Sequence, residues 1–261
     1  MHAMRIAVIA DIHGNILALD AVLDDLKRRG GADIVVNLGD CVSGPLWPAE
    51  TMQRLEALEA PTVRGNHDRR VPLDPLGEMG PSDRFAYDRL TEKQRGWLEA
   101  LPLTAEIIPS VLAFHARPDH DERYLTEVID NGRLVRAPIA TIEKRLAPLD
   151  PQYRLLLFGH SHRPELLRLA DGRLLFNPGS VGCPAYFDDA APAHVSEQGS
   201  PHARYGLVEL DPSNAPVRID SLAVAYDNES AARRAEESGR PLWAHGLRTG
   251  FMPDGTLAGV A

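Results

Sequence analysis

Residues 5–13, RIAVIADIH, contain a short apolar run that ends in polar side chains. The apolar part, residues 5–10, is rich in β-branched and aliphatic side chains, which predicts a strand buried on both faces. Asp11 and His13 follow directly, and alternate residues of an extended segment point to the same side. This stretch therefore predicts a buried strand that places a carboxylate and an imidazole at its carboxyl end.

The same arrangement recurs along the chain, because four more polar groups each follow an apolar segment. The preceding segments are IVVNL, TVR, VLAF and RLLLF, and the polar residues after them are Asp40, Asn66, His67, Asp68, His115, His160 and His162. In open α/β sheets, ligands bind outside the carboxyl ends of the strands. We therefore expect these side chains to meet in one region of the fold.

Periodicity predicts an α/β domain that spans residues 1–261. Strands are predicted at 5–10, 33–38, 62–64, 103–108, 111–114, 154–158, 165–169, 173–176, 205–209 and 217–223. Helices are predicted at 15–29, 48–58, 91–100 and 229–238, with two more helical pieces within 119–150. Residues 72–81 and 186–201 are expected to be loops, and the chain from about residue 249 a partly loose tail.

Composition narrows the function classes. The formal net charge is −9, which disfavours binding to long nucleic acid because that binding depends on Lys and Arg contacts to phosphate. No apolar run approaches the roughly 20 residues needed to cross a bilayer. We expect a cytoplasmic protein without membrane binding, and composition does not exclude a small phosphoester as the substrate. The oligomeric state, including a homo-oligomer, stays open.

The polar residue types suit divalent transition metals. Carboxylate and neutral imidazole groups bind manganese, iron, nickel or zinc, and an amide oxygen is a weaker ligand. Taken singly, Asp11 would cap a helix, His13 would lie at the surface and Asp40 would form a turn. Together the motifs supply at least seven ligands, which is more than one metal needs, so two metals about 3.5–4 Å apart are expected.

In their order, these motifs resemble those of the metallophosphoesterase (calcineurin-like) superfamily. That pattern reads D-x-H, then G-D, then G-N-H-D/E, then a lone His, then G-H-x-H, and it spans Asp11 to His162 here. Residues 177–180 (NPGS) and 200–205 (SPHARY) are similar to the YfcE-like branch of small bacterial phosphodiesterases. The resemblance implies a four-layer αββα sandwich with two metals at the strand ends.

The resemblance also implies a role for each matching residue. One metal would be bound by Asp11, His13, Asp40 and His162, and the other by Asp40, Asn66, His115 and His160. Asp40 would bridge the two metals, and His67 would lie near the substrate without binding metal. Ala116 stands where related sequences have glycine, which would matter if that position required a positive φ.

The mechanism expected from this arrangement is attack on phosphorus by a hydroxide that bridges the two metals. His67 would donate a proton to the leaving alkoxide. Asp68 would orient His67 or, alternatively, support the loop. Arg64, Arg117, His202 and Arg204 are candidate substrate contacts. Arg64 as a salt-bridged residue, and His202 and Arg204 as a dimer contact, are the alternatives.

The function that these features predict is a binuclear metal-dependent phosphodiesterase that acts on small phosphodiesters. A phosphomonoesterase or a dinucleoside polyphosphate hydrolase would use the same ligands. A protein of another class, a non-catalytic scaffold resembling the retromer subunit of this fold, would be expected to lack the histidine that His67 supplies. The cofactors expected are two divalent ions, with manganese supporting activity in vitro.

Overall fold

A computed structural model describes residues 4–259. Its first sheet has the strand order β13-β12-β1-β2, where β1 is parallel to β2 and antiparallel to β12. These strands are β1 (Met4–Ile9), β2 (Ile34–Asn37), β12 (Ala203–Leu210) and β13 (Pro216–Val224). The parallel pair is joined by helix α1 (Ile16–Arg28), as predicted for the start of the chain.

The second sheet has the order β3-β4-β7-β9-β8. Its strands are β3 (Thr104–Ile108), β4 (Val111–Phe114), β7 (Leu155–Leu157), β8 (Glu165–Arg168) and β9 (Leu174–Asn177). A third sheet, β10-β11-β6-β5, is formed by β5 (Glu127–Asp130), β6 (Arg133–Arg136), β10 (Ala185–Asp188) and β11 (His194–Glu197). The four strands predicted at 103–108, 111–114, 165–169 and 173–176 are confirmed, and they pair as the antiparallel hairpins β3–β4 and β8–β9.

Alternating side chains of β1 divide the core. Ile6 and Val8 pack between the first two sheets, against an apolar cluster that includes Leu157 and Phe176. Ala7 and Ile9 face the other way, toward helices α1 and α2 (Pro48–Leu58). On the far side of the second sheet, another cluster includes helix α6 (Ile139–Leu146). These layers confirm the predicted αββα sandwich.

Three local predictions were wrong. Residues 62–64 form no strand, and Thr62 makes a single bridge with Asn37. Residues 119–150 were predicted to be helical in two pieces but contain the β5–β6 hairpin and one helix, and the predicted loop 186–201 contains β10 and β11. These strands are four residues long and pair with each other in the third sheet, so tertiary contacts outweigh their weak local pattern.

The helices also differ from the prediction in number. Helices α3 (Asn66–Leu73) and α4 (Pro81–Tyr87) flank the shorter loop 74–80, and α5 (Glu92–Glu99) matches its prediction. Helix α7 (Asn228–Glu237) is followed by a further helix, α8 (Pro241–Thr249). After α8 the side chain of Met252 is buried, and a 3₁₀ turn covers Thr256–Gly259. Among residues 4–259, no helix has the length and apolar character needed to cross a bilayer.

Two glycines give a paired test of the sandwich. A Cβ built on Gly206 of β12 would lie 2.2 Å from Phe176 Cε1, at the contact between the two large sheets. We expect Gly206→Ala to destabilise the protein by about 1–3 kcal/mol through overpacking. The control is Gly96→Ala in α5, where a Cβ meets nothing within 4 Å. It should stabilise by roughly 0.5–1 kcal/mol. Urea unfolding measures both values, and equal effects would contradict the close contact between the sheets.

Candidate metal centre

The backbone turns sharply at the strand ends that supply the predicted ligands. Five non-glycine residues there have φ between 51° and 68°, namely Asp11, His13, Asp40, His160 and His162. This left-handed conformation costs an L-residue roughly 1–2 kcal/mol. Strain of this kind persists only where surrounding structure imposes it, and it concentrates at functional sites. The strained backbone therefore marks the same region as the motifs do.

The first group of ligands is Asp11, His13 and His162. One ligand atom from each lies within 4.8 Å of the others. The His13 and His162 Nε2 atoms are 3.1 Å apart, and His162 Nε2 lies 3.4 Å from Asp11 Oδ1. All three residues are at most 4% exposed. Residues 149 positions apart in sequence are thus brought into one buried cluster.

The second group is Asp40, His115 and His160, whose ligand atoms also lie within 4.8 Å of one another. Asp40 joins the two groups, because its Oδ2 lies 3.4 Å from His115 Nε2 and 3.8 Å from His13 Nε2. A single carboxylate oxygen is therefore within reach of imidazoles from both groups. This position suits the bridging role expected for Asp40.

Hydrogen bonds to backbone carbonyls fix the orientation of three imidazoles. The Nδ1 atoms of His13, His115 and His162 lie 2.6–2.7 Å from the carbonyl oxygens of Ser43, Leu38 and Cys183. Since a carbonyl only accepts, each Nδ1 carries the proton and, in the neutral ring, each Nε2 keeps a free lone pair. Such bonds orient histidines for metal binding.

Two buried polar atoms in the centre have no partner that meets hydrogen-bond geometry among residues 4–259. They are Asn66 Oδ1 and His115 Nε2, in side chains that are 4% and 0% exposed. An unsatisfied buried polar atom is costly and calls for an explanation. A divalent cation supplies one, since it takes electron pairs from both atom types. The residues present therefore fit the metal ions that the motifs predict.

His67 lies beside the cluster in an ion pair with Asp83. Its Nδ1 is 2.7 Å from Asp83 Oδ1, and Ser43 Oγ donates to the same oxygen at 2.6 Å. Burial opposes charge on the imidazole, but Asp83 and then Asp40 outweigh it and raise the pKa of His67 to about 9. A metal ion bound nearby would disfavour a positive charge on the His67 ring. The contact with Asp83 is the local interaction that favours the protonated form of the ring.

Among the described hydrogen bonds of Asp68, none goes to the His67 ring, and the carboxylate instead holds the backbone of residues 40–41 to that of residue 65. Its Oδ2 accepts hydrogen bonds from the backbone N–H groups of Asp40 and Gly65, and its Oδ1 from that of Cys41. Of the two roles expected for Asp68, the geometry corresponds to support of the loop. The residue that contacts His67 Nδ1 is Asp83.

The four predicted substrate contacts lie away from the cavity that opens over the ligand groups. Arg64 Nε donates to the buried Asp121, and Arg117 forms an ion pair with Asp119. His202 is exposed, and Arg204 lies against residues 179–180 and 200. The structure does not bring any of them to the cavity wall. Ala116 is buried and its φ is not positive, so its Cβ introduces no strain.

The cavity wall contains residues that the sequence did not single out. Tyr124, Tyr186 and Trp243 line it, and their rings lie 4.7–5.8 Å from those of His160, His162 and His13. They come from the segment before β5, from β10 and from α8. No local motif surrounds these residues, so only the packing of distant segments reveals them.

Buried carboxylates and imidazoles in two linked groups, at the strand ends of an αββα sandwich, define a metal-dependent hydrolase. The sequence profile of the calcineurin-like phosphoesterase family matches residues 4–164. The chain belongs to the calcineurin-like phosphoesterase family, and the superfamily suggested by its motifs is confirmed. It is a metal-dependent phosphoester hydrolase.

Relatives and solved structures agree with this membership. An uncharacterized protein of Methanocaldococcus jannaschii is 29% identical over 258 residues, covering 91% of this chain and 94% of that one. The structure of a metallophosphoesterase from Sphaerobacter thermophilus is 26% identical, covers 95% of this chain and all of that one, and superposes with a TM-score of 0.71. A hypothetical protein from Pyrococcus horikoshii, 18% identical over 96% of this chain and all of its own, shares the fold with a TM-score of 0.70.

The two aspartates beside His67 should have separable roles. We expect Asp83→Asn to lower kcat by about 10- to 100-fold, because the imidazole loses the charge that orients it and favours its protonated form. Metal content and Tm should stay near those of the parent protein. Asp68→Asn should lose about 1–3 kcal/mol of stability instead, because the amide places N–H groups against backbone donors. Kinetics, metal analysis and thermal unfolding distinguish them, and a reversal of these two patterns would contradict the contacts.

Proposed function

We propose that the protein is a phosphodiesterase that acts on small phosphodiesters with two divalent metal ions. The observation that carries this proposal is the arrangement of two buried ligand groups joined by Asp40, with His67 beside them in the wall of the cavity. The backbone N–H of His67 donates to Asp40 Oδ1 at 3.0 Å, which ties the candidate acid to the shared carboxylate.

We assign the ligands by extending the two groups with the residues that the motifs add, Asp40 for the first and Asn66 for the second. Asp11, His13, Asp40 and His162 would hold one ion, and Asp40, Asn66, His115 and His160 the other. These ions would supply Lewis acidity, lowering the pKa of a bound water and offsetting the charge on the phosphoryl oxygens. The ligand types suit manganese, iron, nickel or zinc and do not distinguish among these metals. We expect manganese to support activity in vitro.

The chain's own contribution to leaving-group departure is assigned to His67. Its Nδ1 is engaged by Asp83, which leaves Nε2 as the nitrogen available for a proton transfer in the cavity. A departing alkoxide is a strong base, so a proton delivered as the ester bond breaks lowers the barrier. Ser43 holds the same oxygen of Asp83, so the pair is fixed before substrate arrives.

The charges near the cavity support a diester over a monoester. Among the described residues, Arg70 is the one lysine or arginine in the cavity wall, and it forms an ion pair with Glu122. A monoester dianion carries one more negative charge than a diester and so needs more positive charge beyond the ions. A diester monoanion needs less positive charge from the side chains of this wall.

Metal analysis combined with kinetics tests the proposal. The parent protein should bind about two ions per chain and hydrolyse bis(4-nitrophenyl) phosphate. His67→Ala should retain both ions and lower kcat by about 10²- to 10⁴-fold, since it removes only the proton donor. A protein that binds metal but is inert toward mono- and diesters with manganese, iron, nickel and zinc would refute the proposed activity.

Substitutions in the two ligand groups test the number of ions. His13→Ala, in the first group, and His160→Ala, in the second, should each reduce the bound metal from about two ions to about one. The reason is that each variant removes a donor from one group and leaves the other group intact. Inductively coupled plasma mass spectrometry after gel filtration gives the ratio. Loss of all metal in both variants would favour one shared ion over two.

A further inference from the structure

The cavity over the metal centre has a volume of about 520 Å³, which suits a small phosphodiester. Its inner wall includes Asn66, whose unpartnered amide oxygen belongs to a side chain only 4% exposed. The inner end is thus built for a ligand. A phosphate-binding site ordinarily presents positive side chains, whereas the outer wall of this cavity presents carboxylates. This difference bears on the alcohol part of the substrate.

Positive charge in the wall is already engaged. Arg70, the one lysine or arginine among the described residues of the wall, forms an ion pair with Glu122. It is therefore not free to neutralise further phosphates along an extended chain. A substrate with several phosphate groups would therefore find no additional positive side chain among the described residues of the wall.

Four carboxylates at the outer wall, by contrast, have no salt bridge within residues 4–259. Asp74 and Glu78 lie in the loop between α3 and α4, and Asp188 and Asp189 lie at the end of β10. They approach the cavity from two different segments. Glu78 and Asp189 are exposed, and Asp74 and Asp188 are half-buried. Their combined field attracts cations and repels anions at the mouth.

Aromatic rings share the cavity wall with these carboxylates and lie beside metal ligands. Tyr124, Tyr186, Phe187 and Trp243 all line the same cavity. The Tyr186 ring lies 4.7 Å from that of His162, and the Trp243 ring lies 5.8 Å from that of His13. The face of an aromatic ring attracts an ammonium group, and more strongly where water is excluded.

From these charges and rings, and resting on the proposed phosphodiesterase activity, we propose that the preferred substrate is a phosphodiester of a cationic amino alcohol. The phosphate would lie at the metal ligands, and the ammonium group of the alcohol would lie among the aromatic rings and the four outer carboxylates. Such a zwitterion has one negative charge at the inner end and one positive charge at the outer end, matching the wall at both.

A pair of isosteric esters tests this charge selection. The probes are 4-nitrophenyl phosphocholine and its 3,3-dimethylbutyl analogue, which has the same shape but lacks the positive charge. Both release 4-nitrophenolate on hydrolysis. At low salt, kcat/KM for the choline ester should exceed that for the isostere with the uncharged alkyl group by about tenfold, mainly through KM. The ratio should fall toward one as the salt concentration rises.

Two double variants assign the effect to the outer wall. Asp74→Asn with Glu78→Gln, and Asp188→Asn with Asp189→Asn, should each reduce the ratio of the two kcat/KM values. The matched control is Glu56→Gln, which neutralises an exposed carboxylate of α2 outside the cavity wall and should leave the ratio unchanged. Circular dichroism verifies that each variant is folded.

The outcomes separate this inference from the proposed function. Hydrolysis of bis(4-nitrophenyl) phosphate together with a ratio at or below one would overturn the charge selection and leave the phosphodiesterase in place. A high ratio that both double variants retain would also overturn it. Failure to hydrolyse any diester, with each metal supplied, would overturn the phosphodiesterase itself.

Discussion

The interaction on which the site depends is the close approach of buried carboxylates and imidazoles. Asp11 and Asp40 are at most 2% exposed, so their ionised forms lose nearly all contact with water. Burial raises the pKa of each carboxyl, but His162 beside Asp11 and His115 beside Asp40 outweigh it, and both pKa values are lowered. A divalent cation offers the same compensation more strongly. The family's dependence on metal and the pairing of carboxylates with imidazoles in this core thus have the same cause, which is the need to compensate buried negative charge.

The sandwich supplies the rigidity that such an arrangement needs. Side chains of β1 pack against helices on one face and against the second sheet on the other, which fixes the strand ends where the ligands leave. Tight backbone contacts reinforce this. A Cβ on Gly65 would lie 2.1 Å from Asp40 Oδ1, and one on Gly182 would lie 1.8 Å from the Ile12 carbonyl oxygen. Left-handed backbone at five ligands is maintained by this surrounding packing.

Much of the fold could be predicted because its large sheets are built from clear local patterns. The apolar runs that became β1, β4 and β7, and the helical spacing that became α1, leave little choice of structure. The third sheet could not be predicted in this way. Strands β5, β6, β10 and β11 are short, and β11 pairs with β6 through residues 62 positions apart, so pairing decides their structure. For the same reason one of the two helical pieces predicted within 119–150 was wrong, since that part forms β5 and β6, whereas α6 is present.

The sequence by itself determined the chemistry of the centre, because the carboxylate and imidazole ligands stand just after strands and strand ends converge in an α/β fold. Only the tertiary structure decided which side chain contacts His67 and which residues line the cavity. Asp83 reaches His67 from another helix, and the arginines near the motifs turn to Asp119 and Asp121 instead of the cavity. The wall of rings and carboxylates is assembled from segments far apart in the chain. Strand-end motifs are local in sequence. The residues that line a cavity are brought together by long-range packing, which leaves no local sequence pattern from which to predict them.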